Sequence, residues 1–193
     1  GWTGYAKQMQ QAGADALELN VYWLPTAKGH SSGEVEQRYI DVLKGVKAAV
    51  KIPVAVKLSP FFSAPLDLCE RLVGAGADGL VLFNRFYQPD LDLDTLDVIS
   101  RVQLSNPGEL RLPLLWIAAM AGRVECDLAA TTGIHGGKDL AKALLAGADV
   151  GMVASAILAR GIKHLGTILA DLQAWMGEKG YATVGQMRGA MSM

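Results

Sequence analysis

Hydrophobic and polar positions along the chain follow two different spacings, and the same junction between them occurs three times. Ala-Gly-Ala-Asp occupies 12–15, 75–78 and 146–149, each time after an amphipathic run and before a short apolar run. The amphipathic runs have helical spacing, the glycine favours a left-handed helix end, and the short apolar runs are typical of buried strands. Repeated units of helix, glycine and strand predict parallel strands covered by helices, which is the α/β fold class.

These units and the remaining apolar runs predict about five core parallel strands with flanking helices. The strands are expected near 16–20, 53–58, 79–83, 127–132 and 150–155. The helices are expected over 5–12, 35–50, 66–75, 138–146 and 157–176. With 193 residues, of which 51% are hydrophobic, the chain is predicted to form a single domain over 1–193.

Two other segments have less regular patterns. We predict a helix over 95–104 and an apolar strand over 112–117. Pro113 favours a strand start or a sheet edge for the second segment, because proline has no N–H to donate. For 119–125 the pattern fits a hairpin and a short helix equally well.

Charge and composition exclude several classes of partner. The net charge is −1, from 18 basic and 19 acidic residues spread along the chain, so nucleic acid is not expected as a partner. The apolar stretch 112–121 has half of the roughly 20 residues that a membrane-spanning helix needs, so no membrane contact is expected and we infer a cytoplasmic protein. Cys69 and Cys126 stand apart from other ligand residues, which predicts buried cysteines and no metal site.

Candidate binding residues stand where the predicted strands end, because ligands of parallel α/β folds bind at the carboxyl ends of the strands. Lys57 ends an otherwise apolar strand, and an ammonium group there needs an anion or a ligand unless it reaches solvent. Glu18 and Asn20 alternate with leucines, so both are expected on one face of their strand. Asn20 is alternatively an ordinary turn residue, and Asn84 is a less specific candidate after the third strand.

Small residues follow the last two predicted strands, at Thr132-Gly133 and at Ala154-Ser155. Each turn precedes a helix, and two neighbouring turns of this kind can direct backbone N–H groups at one phosphate. The pair therefore predicts a ligand that carries a phosphate. His135 has no Asp or Cys at metal-ligand spacing, so we interpret it as a loop residue or a neighbour of the phosphate.

Five short strings are more specific, namely ALELN at 16–20, VKLSP at 56–60, LFN at 82–84, TGIHGGKD at 132–139 and LAGA at 145–148. They occur in the order seen in flavin-dependent dihydroorotate dehydrogenases, and the chain resembles that family over nearly all of its length. The resemblance implies FMN as cofactor, a small-molecule substrate and a place in pyrimidine biosynthesis. It covers only the later part of that family's (β/α)8 TIM barrel, so a partial barrel with the first three strands absent is expected.

The resemblance also implies roles for the strand-end residues. Asn20 would contact the flavin or the substrate, Lys57 would lie beside the flavin, and Asn84 would bind the substrate. The turns at 132–133 and 154–155 would hold the FMN phosphate. A fixed cation at Lys57 would stabilise the negative charge of the reduced flavin.

Two residues depart from the pattern of that family. Trp23 stands where its members carry the Cys or Ser base that takes a proton from dihydroorotate, and an indole N–H is a donor only, so no catalytic base is assigned. Thr132 replaces the first of two glycines, which is expected to crowd the phosphate turn.

Three functions are therefore compatible with the sequence. The first is an FMN-dependent oxidoreductase that resembles dihydroorotate dehydrogenase and transfers a hydride to the flavin. The second is a non-catalytic truncated barrel that binds a phosphate ligand weakly or only self-associates. The third uses Lys57 as a Schiff-base nucleophile in an aldolase-like barrel. Because five strands of an eight-stranded barrel leave two open edges, we also expect a homo-oligomer that covers the open side.

Overall fold

The computed structural model describes residues 1–99 and 101–193, which form a parallel sheet flanked by helices. The strands are β1 (Leu17–Asn20), β2 (Val54–Leu58), β3 (Gly79–Leu82), β4 (Asp90–Leu91), β5 (Val98–Ile99), β6 (Asp127–Ala130) and β7 (Val150–Gly151). The helices are α1 (Trp2–Gln11), α2 (Ser32–Lys47), α3 (Pro65–Gly74), α4 (Arg111–Met120), α5 (Gly137–Ala146), α6 (Ser155–Arg160), α7 (His164–Lys179) and α8 (Val184–Met187). A 3₁₀ turn over Pro107–Leu110 leads into α4.

Five of the strands form one parallel sheet in the order β1-β2-β3-β6-β7, while β4 and β5 form a separate antiparallel ribbon. The register runs evenly across the sheet, with Asn20 beside Lys57, Leu58 beside Leu82, and Leu82 beside Ala130. The predicted α/β class and the five parallel strands are confirmed. Within the described residues the sheet does not close, which is consistent with a partial TIM barrel.

The three repeated junctions have the same local structure. Gly13, Gly76 and Gly147 are all left-handed, with φ of 94°, 100° and 116°. The alanine after each glycine donates its N–H to the carbonyl five residues earlier, which closes the end of the helix. The repeat is therefore a helix-ending motif that directs the chain into the next strand, as the sequence predicts.

In two of the repeats, the aspartate before the strand forms a hydrogen bond with the neighbouring strand. The carboxylate of Asp78 accepts hydrogen bonds from the Val54 N–H and the Lys47 Nζ, both at 2.7 Å. Asp149 accepts the Leu128 N–H at 2.9 Å in the same way. Burial acts to raise the pKa of Asp78, but the hydrogen bonds from Lys47 and Val54 outweigh it and lower the pKa below 3.8.

The alternation along β2 separates the core from the predicted site. Val54, Val56 and Leu58 are buried in the hydrophobic core, while Lys57 lies on the other face beside Glu18. Burying an apolar side chain of this size contributes roughly 1.5–3 kcal/mol. A slip of one residue would place Lys57 in the core, so the apolar residues fix the face on which Lys57 stands.

The strand predicted over 112–117 is wrong, because this segment lies in helix α4. Its residues are apolar on every side, so neither helical nor strand spacing stands out in the sequence. Pro113 is the third residue of the helix, a position where a missing N–H costs no intrahelical hydrogen bond. The segment 119–125 is correspondingly the end of α4 and a turn.

The helix predicted over 95–104 is also wrong for the described residues, and Ser100 within it lies outside them. The Asp92 carboxylate accepts the N–H groups of Asp94 and Thr95, which forms a turn instead of a helix. Strand β5 follows directly. The long helix predicted over 157–176 is two helices, α6 and α7, separated at Gly161 with φ of 82°.

Two expectations from composition concern cysteines and membranes. Cys69 is fully buried, and burial raises the pKa of its thiol to about 12. Cys126 is half-buried, with its pKa raised to about 11 by burial and by nearby carboxylates, so the predicted burial is confirmed fully for Cys69 only.

Among the described residues, no helix combines the length and the apolar character that crossing a membrane requires.

Replacing Asp78 with alanine is expected to lower the free energy of unfolding by about 1–2 kcal/mol, because the Val54 N–H at the buried start of β2 loses its acceptor. Urea unfolding followed by circular dichroism measures this difference. Asp15→Ala is the matched control, since the first repeat's aspartate makes no side-chain hydrogen bond among the described residues. Equal losses in the two variants would contradict the role assigned to Asp78.

The same interaction has a pH dependence with a defined sign. Because the folded-state pKa of Asp78 is lowered, its stabilisation is complete above the unfolded pKa near 3.8 and is lost as the pH falls through the lower, folded value. The difference in the free energy of unfolding between the parent chain and Asp78→Ala should therefore become smaller as the pH is lowered below about 4. A difference that becomes larger on acidification would contradict this assignment.

Self-association remains a prediction. Strands β1 and β7 are the outer strands, so each has one edge that pairs with no described strand. Exposed strand edges are templates for pairing with another chain. Sedimentation velocity at micromolar concentration is expected to show a dimer or a larger oligomer, and a folded monomer would refute the prediction.

Candidate functional site

The carboxyl ends of the parallel strands meet around one small cavity of about 180 Å³, which we call the strand-end cavity. Six of the seven predicted binding residues line it, and they come from four different strand ends. They are Lys57, Asn84, Thr132, Gly133, Ala154 and Ser155. Asn20, the seventh, is hydrogen-bonded to Asn84. The structure therefore brings together all the residues that the sequence analysis selected.

Lys57 lies at the end of β2 with its side chain 18% exposed. Its Nζ is 3.4 Å from Glu18 Oε1, and the two residues share one face of the sheet. The pair is long for a charge-assisted hydrogen bond. Because an ammonium group has three N–H donors, Lys57 can bind a ligand acceptor while it keeps its contact with Glu18.

Asn84 is held at the end of β3 by its backbone. Its N–H donates to the Leu58 carbonyl at 2.6 Å, so the residue lies directly beside the end of β2. The side-chain Nδ2 donates to Oδ1 of Asn20. This contact leaves the carbonyl oxygen of Asn84 and the NH₂ group of Asn20 to face a polar ligand, one as acceptor and one as donor.

The turn after β6 has a left-handed backbone at two successive residues. Thr132 has φ of 77° and Gly133 has φ of 84°. The Thr132 hydroxyl donates to the Phe83 carbonyl at 3.3 Å, which draws the side chain toward β3. A Cβ on Gly133 would come within 2.4 Å of the Leu110 backbone nitrogen, so both the φ angle and this close approach require glycine.

Several backbone N–H groups at the cavity lack an acceptor. Those of Gly133, Ile134, Ala154 and Ser155 donate to no other atom among the described residues. Gly133 and Ile134 are buried, and a buried donor without a partner is costly. The four residues line one cavity, and backbone donors from two neighbouring turns are the kind of group that binds an anion such as a phosphate.

A third segment connects the two turns. The Ser105 N–H donates to Ser155 Oγ at 3.0 Å, and Ser105 Oγ lies 3.1 Å from Nε2 of His135. His135 in turn accepts a hydrogen bond from the His164 ring on its carbonyl oxygen, at 2.9 Å. His135 lies in a loop, as predicted, and is not among the residues that line the cavity. Among the described residues, no group of three or more His, Cys, Asp or Glu side chains has the arrangement of a metal site.

Trp23 lies in the loop between β1 and α2 and packs away from the strand-end cavity. The Arg38 guanidinium stacks 4.4 Å from the centroid of the indole ring, and the His30 ring contacts it edge-on at 5.1 Å. Trp23 lines neither the strand-end cavity nor a second, larger cavity beside it. Its assignment to the position of a catalytic base stays a prediction from the resemblance.

The sequence analysis missed half of the residues that line the strand-end cavity. They are Phe83, Arg85, Ser105, Thr131, Ile134 and Met152. Four of them directly adjoin a predicted residue in the sequence, so wider windows at each strand end would have included them. Ser105 carries no such signal, because it contacts Ser155 across 50 positions of the chain.

A larger cavity of about 960 Å³ adjoins the first, and we call it the outer cavity. The two share Phe83, Asn84, Arg85 and Thr132. Residues 85–90 and 101–103 contribute much of its wall, including Asp90 of the β4–β5 ribbon. A ligand at the strand ends can therefore be contacted from both cavities.

Comparison with known proteins identifies the family of this chain. The family model for dihydroorotate dehydrogenase matches residues 2–176. The catalytic subunit of dihydroorotate dehydrogenase B (NAD(+)) from Pyrococcus abyssi is 29% identical over 181 residues, which cover 91% of this chain and 60% of the relative. Dihydroorotate dehydrogenase A (fumarate) from Lacticaseibacillus paracasei is 33% identical over 181 residues, which cover 89% of this chain and 62% of the relative.

A third relative, the catalytic subunit of dihydroorotate dehydrogenase B (NAD(+)) from Methanocaldococcus jannaschii, is 27% identical over 179 residues, covering 90% of this chain and 58% of the relative. The chain thus spans about three fifths of the length of the curated relatives it matches. The family model covers most of the chain, including every residue of the strand-end cavity. This chain belongs to the dihydroorotate dehydrogenase family.

Proposed function

We propose that this chain forms the FMN-binding part of an oxidoreductase of the dihydroorotate dehydrogenase type. The observation that carries the proposal is the strand-end cavity, where one ammonium group, two amides and two N–H-bearing turns surround the same space. The family membership agrees with the resemblance from which FMN was expected. FMN, when bound, would accept a hydride from an oxidisable small molecule.

The residues present fit the polar groups of a flavin nucleotide. The four unpaired backbone N–H groups of Gly133, Ile134, Ala154 and Ser155 would bind its phosphate. Lys57 would place a positive charge beside the ring system, and such a charge stabilises an anionic reduced ring. Asn20 and Asn84 would orient a planar polar ligand through their remaining amide groups.

The volume of the strand-end cavity limits how much of a nucleotide it can hold. Cavities for drug-sized ligands and cofactors measure about 300–1,000 Å³. The strand-end cavity, at about 180 Å³, is smaller, so a bound nucleotide must extend beyond it along the exposed face of β1 or toward the outer cavity. We therefore expect weak binding of FMN by this chain alone.

No catalytic base is assigned in this chain, so the substrate is not identified. An indole accepts no proton, so Trp23 cannot act on dihydroorotate as a Cys or Ser base would. Dihydroorotate oxidation and a role in pyrimidine biosynthesis are accordingly proposals that rest on the printed names of the relatives.

A second candidate is a non-catalytic phosphate-binding protein. The small volume of the strand-end cavity and the packing of Trp23 against Arg38 favour it, because neither provides a reacting group. The Schiff-base function of Lys57 is a third proposal, which borohydride trapping with a carbonyl substrate would test.

Titration of the purified chain with FMN, followed by flavin fluorescence, tests the first proposal. Lys57→Met is expected to weaken binding by about 10- to 100-fold, since a hydrogen bond to a charged group contributes about 1.5–3 kcal/mol. Lys51→Met is the matched control, because Lys51 lies at the amino end of β2. Failure of the parent chain to bind FMN, or equal affinities for the parent and Lys57→Met, would contradict the proposal.

Comparing FMN with riboflavin tests the phosphate subsite separately. The unpaired N–H groups predict that FMN binds more tightly than riboflavin, which lacks the phosphate, and that inorganic phosphate displaces FMN but leaves riboflavin affinity unchanged. Isothermal titration calorimetry measures the affinities for FMN, for riboflavin and for inorganic phosphate. If phosphate binds and neither flavin does, the second candidate replaces the first.

A further inference from the structure

Thr132 has a backbone conformation that its own side chain disfavours. Its φ is 77°, and among the described residues the one other non-glycine residue with a positive φ is Leu96, between β4 and β5. A branched Cβ crowds the backbone in this left-handed region, so threonine is rare there. Such residues persist where the surrounding structure holds them, and they concentrate at binding sites.

The contacts of the turn after β6 hold Thr132 in this conformation. Its hydroxyl donates to the Phe83 carbonyl at 3.3 Å. One residue earlier, the Thr131 N–H donates to the carbonyl of the last residue of β3 at 2.8 Å. One residue later, Gly133 lies so close to the Leu110 backbone that it leaves no room for a Cβ. These contacts fix the turn, so the threonine side chain stays beside residue 83.

Thr132 belongs to the wall between the two cavities. The strand-end cavity and the outer cavity share residues 83–85, which follow β3, and Thr132, which follows β6. The hydrogen bond from Thr132 to Phe83 joins these two segments. Thr131, in contrast, lines the strand-end cavity only. We call the wall formed by residues 83–85 and Thr132 the partition.

The partition limits what the strand-end cavity can hold. Its volume of about 180 Å³ corresponds to about six water molecules, at about 30 Å³ each. A phosphate group fits this space, whereas cavities for whole cofactors measure about 300–1,000 Å³. The outer cavity, with about 960 Å³, lies on the other side of the partition. A ring system attached to the phosphate could enter it only through the space that the partition occupies.

We propose that Thr132 is a specificity-determining residue, which closes the path from the strand-end cavity to the outer cavity. The strand-end cavity then takes a phosphate group in preference to a phosphate that carries a ring system. Glycine at position 132 would adopt the same φ without strain and would join the two cavities. The choice of a flavin as the ring system rests on the proposed function, whereas the binding of inorganic phosphate does not.

Isothermal titration calorimetry of the parent chain and Thr132→Gly with FMN, riboflavin and inorganic phosphate tests the proposal. Thr132→Gly should bind both flavins at least about tenfold more tightly, because one methylene in a pocket wall changes discrimination by about 10- to 200-fold. The affinity for inorganic phosphate should stay unchanged, since the N–H donors of Gly133 and Ile134 remain.

Two further variants separate the position from the substitution. Thr131→Gly is the matched control, because Thr131 lines the strand-end cavity only and has no positive φ, and it should not raise flavin affinity. Thr132→Ser keeps the hydroxyl that contacts Phe83 and lacks the methyl group, so its gain should be smaller than that of Thr132→Gly. Without ligand, Thr132→Gly should melt about 2–4 °C above Thr131→Gly, since only glycine at position 132 relieves a left-handed backbone.

The outcomes distinguish the partition from the proposed function. Tighter binding of both flavins by Thr132→Gly with unchanged phosphate affinity supports the partition, and FMN binding by this variant alone also contradicts the proposed function. Equal FMN affinities of the parent and Thr132→Gly, or an equal gain in Thr131→Gly, overturn the partition and leave the proposed function intact. A phosphate affinity that rises as much as FMN affinity also overturns it, because Thr132 would then crowd the phosphate itself. No flavin binding by either chain overturns both proposals.

Discussion

The hydrogen-bond ladder of the parallel sheet continues one step past the strand ends, and the candidate site depends on that continuation. The Asn84 N–H donates to Leu58 at the end of β2, and the Thr131 N–H donates to Leu82 at the end of β3. The Met152 N–H donates to Ala130 at the end of β6 in the same way. Each bond fixes the first or second residue beyond a strand against the neighbouring strand, so side chains far apart in the chain surround one cavity.

This constraint explains why the polar residues of the site coexist with an apolar core. The buried residues of β2 hold their register against the helices, and the alternation of the strand then leaves Lys57 on the other face. The aspartates of the repeats act at the opposite end of the sheet, where Asp78 and Asp149 each accept an N–H from the start of the neighbouring strand. Hydrogen bonds therefore fix both ends of the sheet, and the predicted ligand-binding residues lie at its carboxyl end.

Much of this arrangement could be predicted from the sequence, because it follows from local patterns. The repeated glycines identified the helix ends, and the strand ends selected Lys57 and Asn84 without knowledge of distances. The errors arose where local pattern is ambiguous: α4 is apolar on every side, and the turn at Asp92 replaces a predicted helix. Ser105 could not be found from the sequence, since it contacts Ser155 across 50 positions of the chain and no local pattern indicates that contact.

Family membership and site geometry support different parts of the account. The match over residues 2–176 establishes ancestry, whereas the roles of individual residues depend on the positions of their side chains. Trp23 shows the difference, because the residue that would stand at the position of a base packs on Arg38 and lines neither cavity. Family membership thus supports the proposal of a flavin, whereas the assignment of Trp23 to the position of a base stays a prediction from the resemblance.

Amide chemical shifts of the ¹⁵N-labelled chain, recorded during addition of FMN, test most directly whether the strand ends form one binding site. The account predicts that the backbone signals of Gly133, Ile134, Ala154 and Ser155 shift together with the side-chain amide of Asn84. It would be contradicted by shifts that concentrate at the amino ends of the strands, around Cys126 and Arg188, while the strand-end signals stay unchanged.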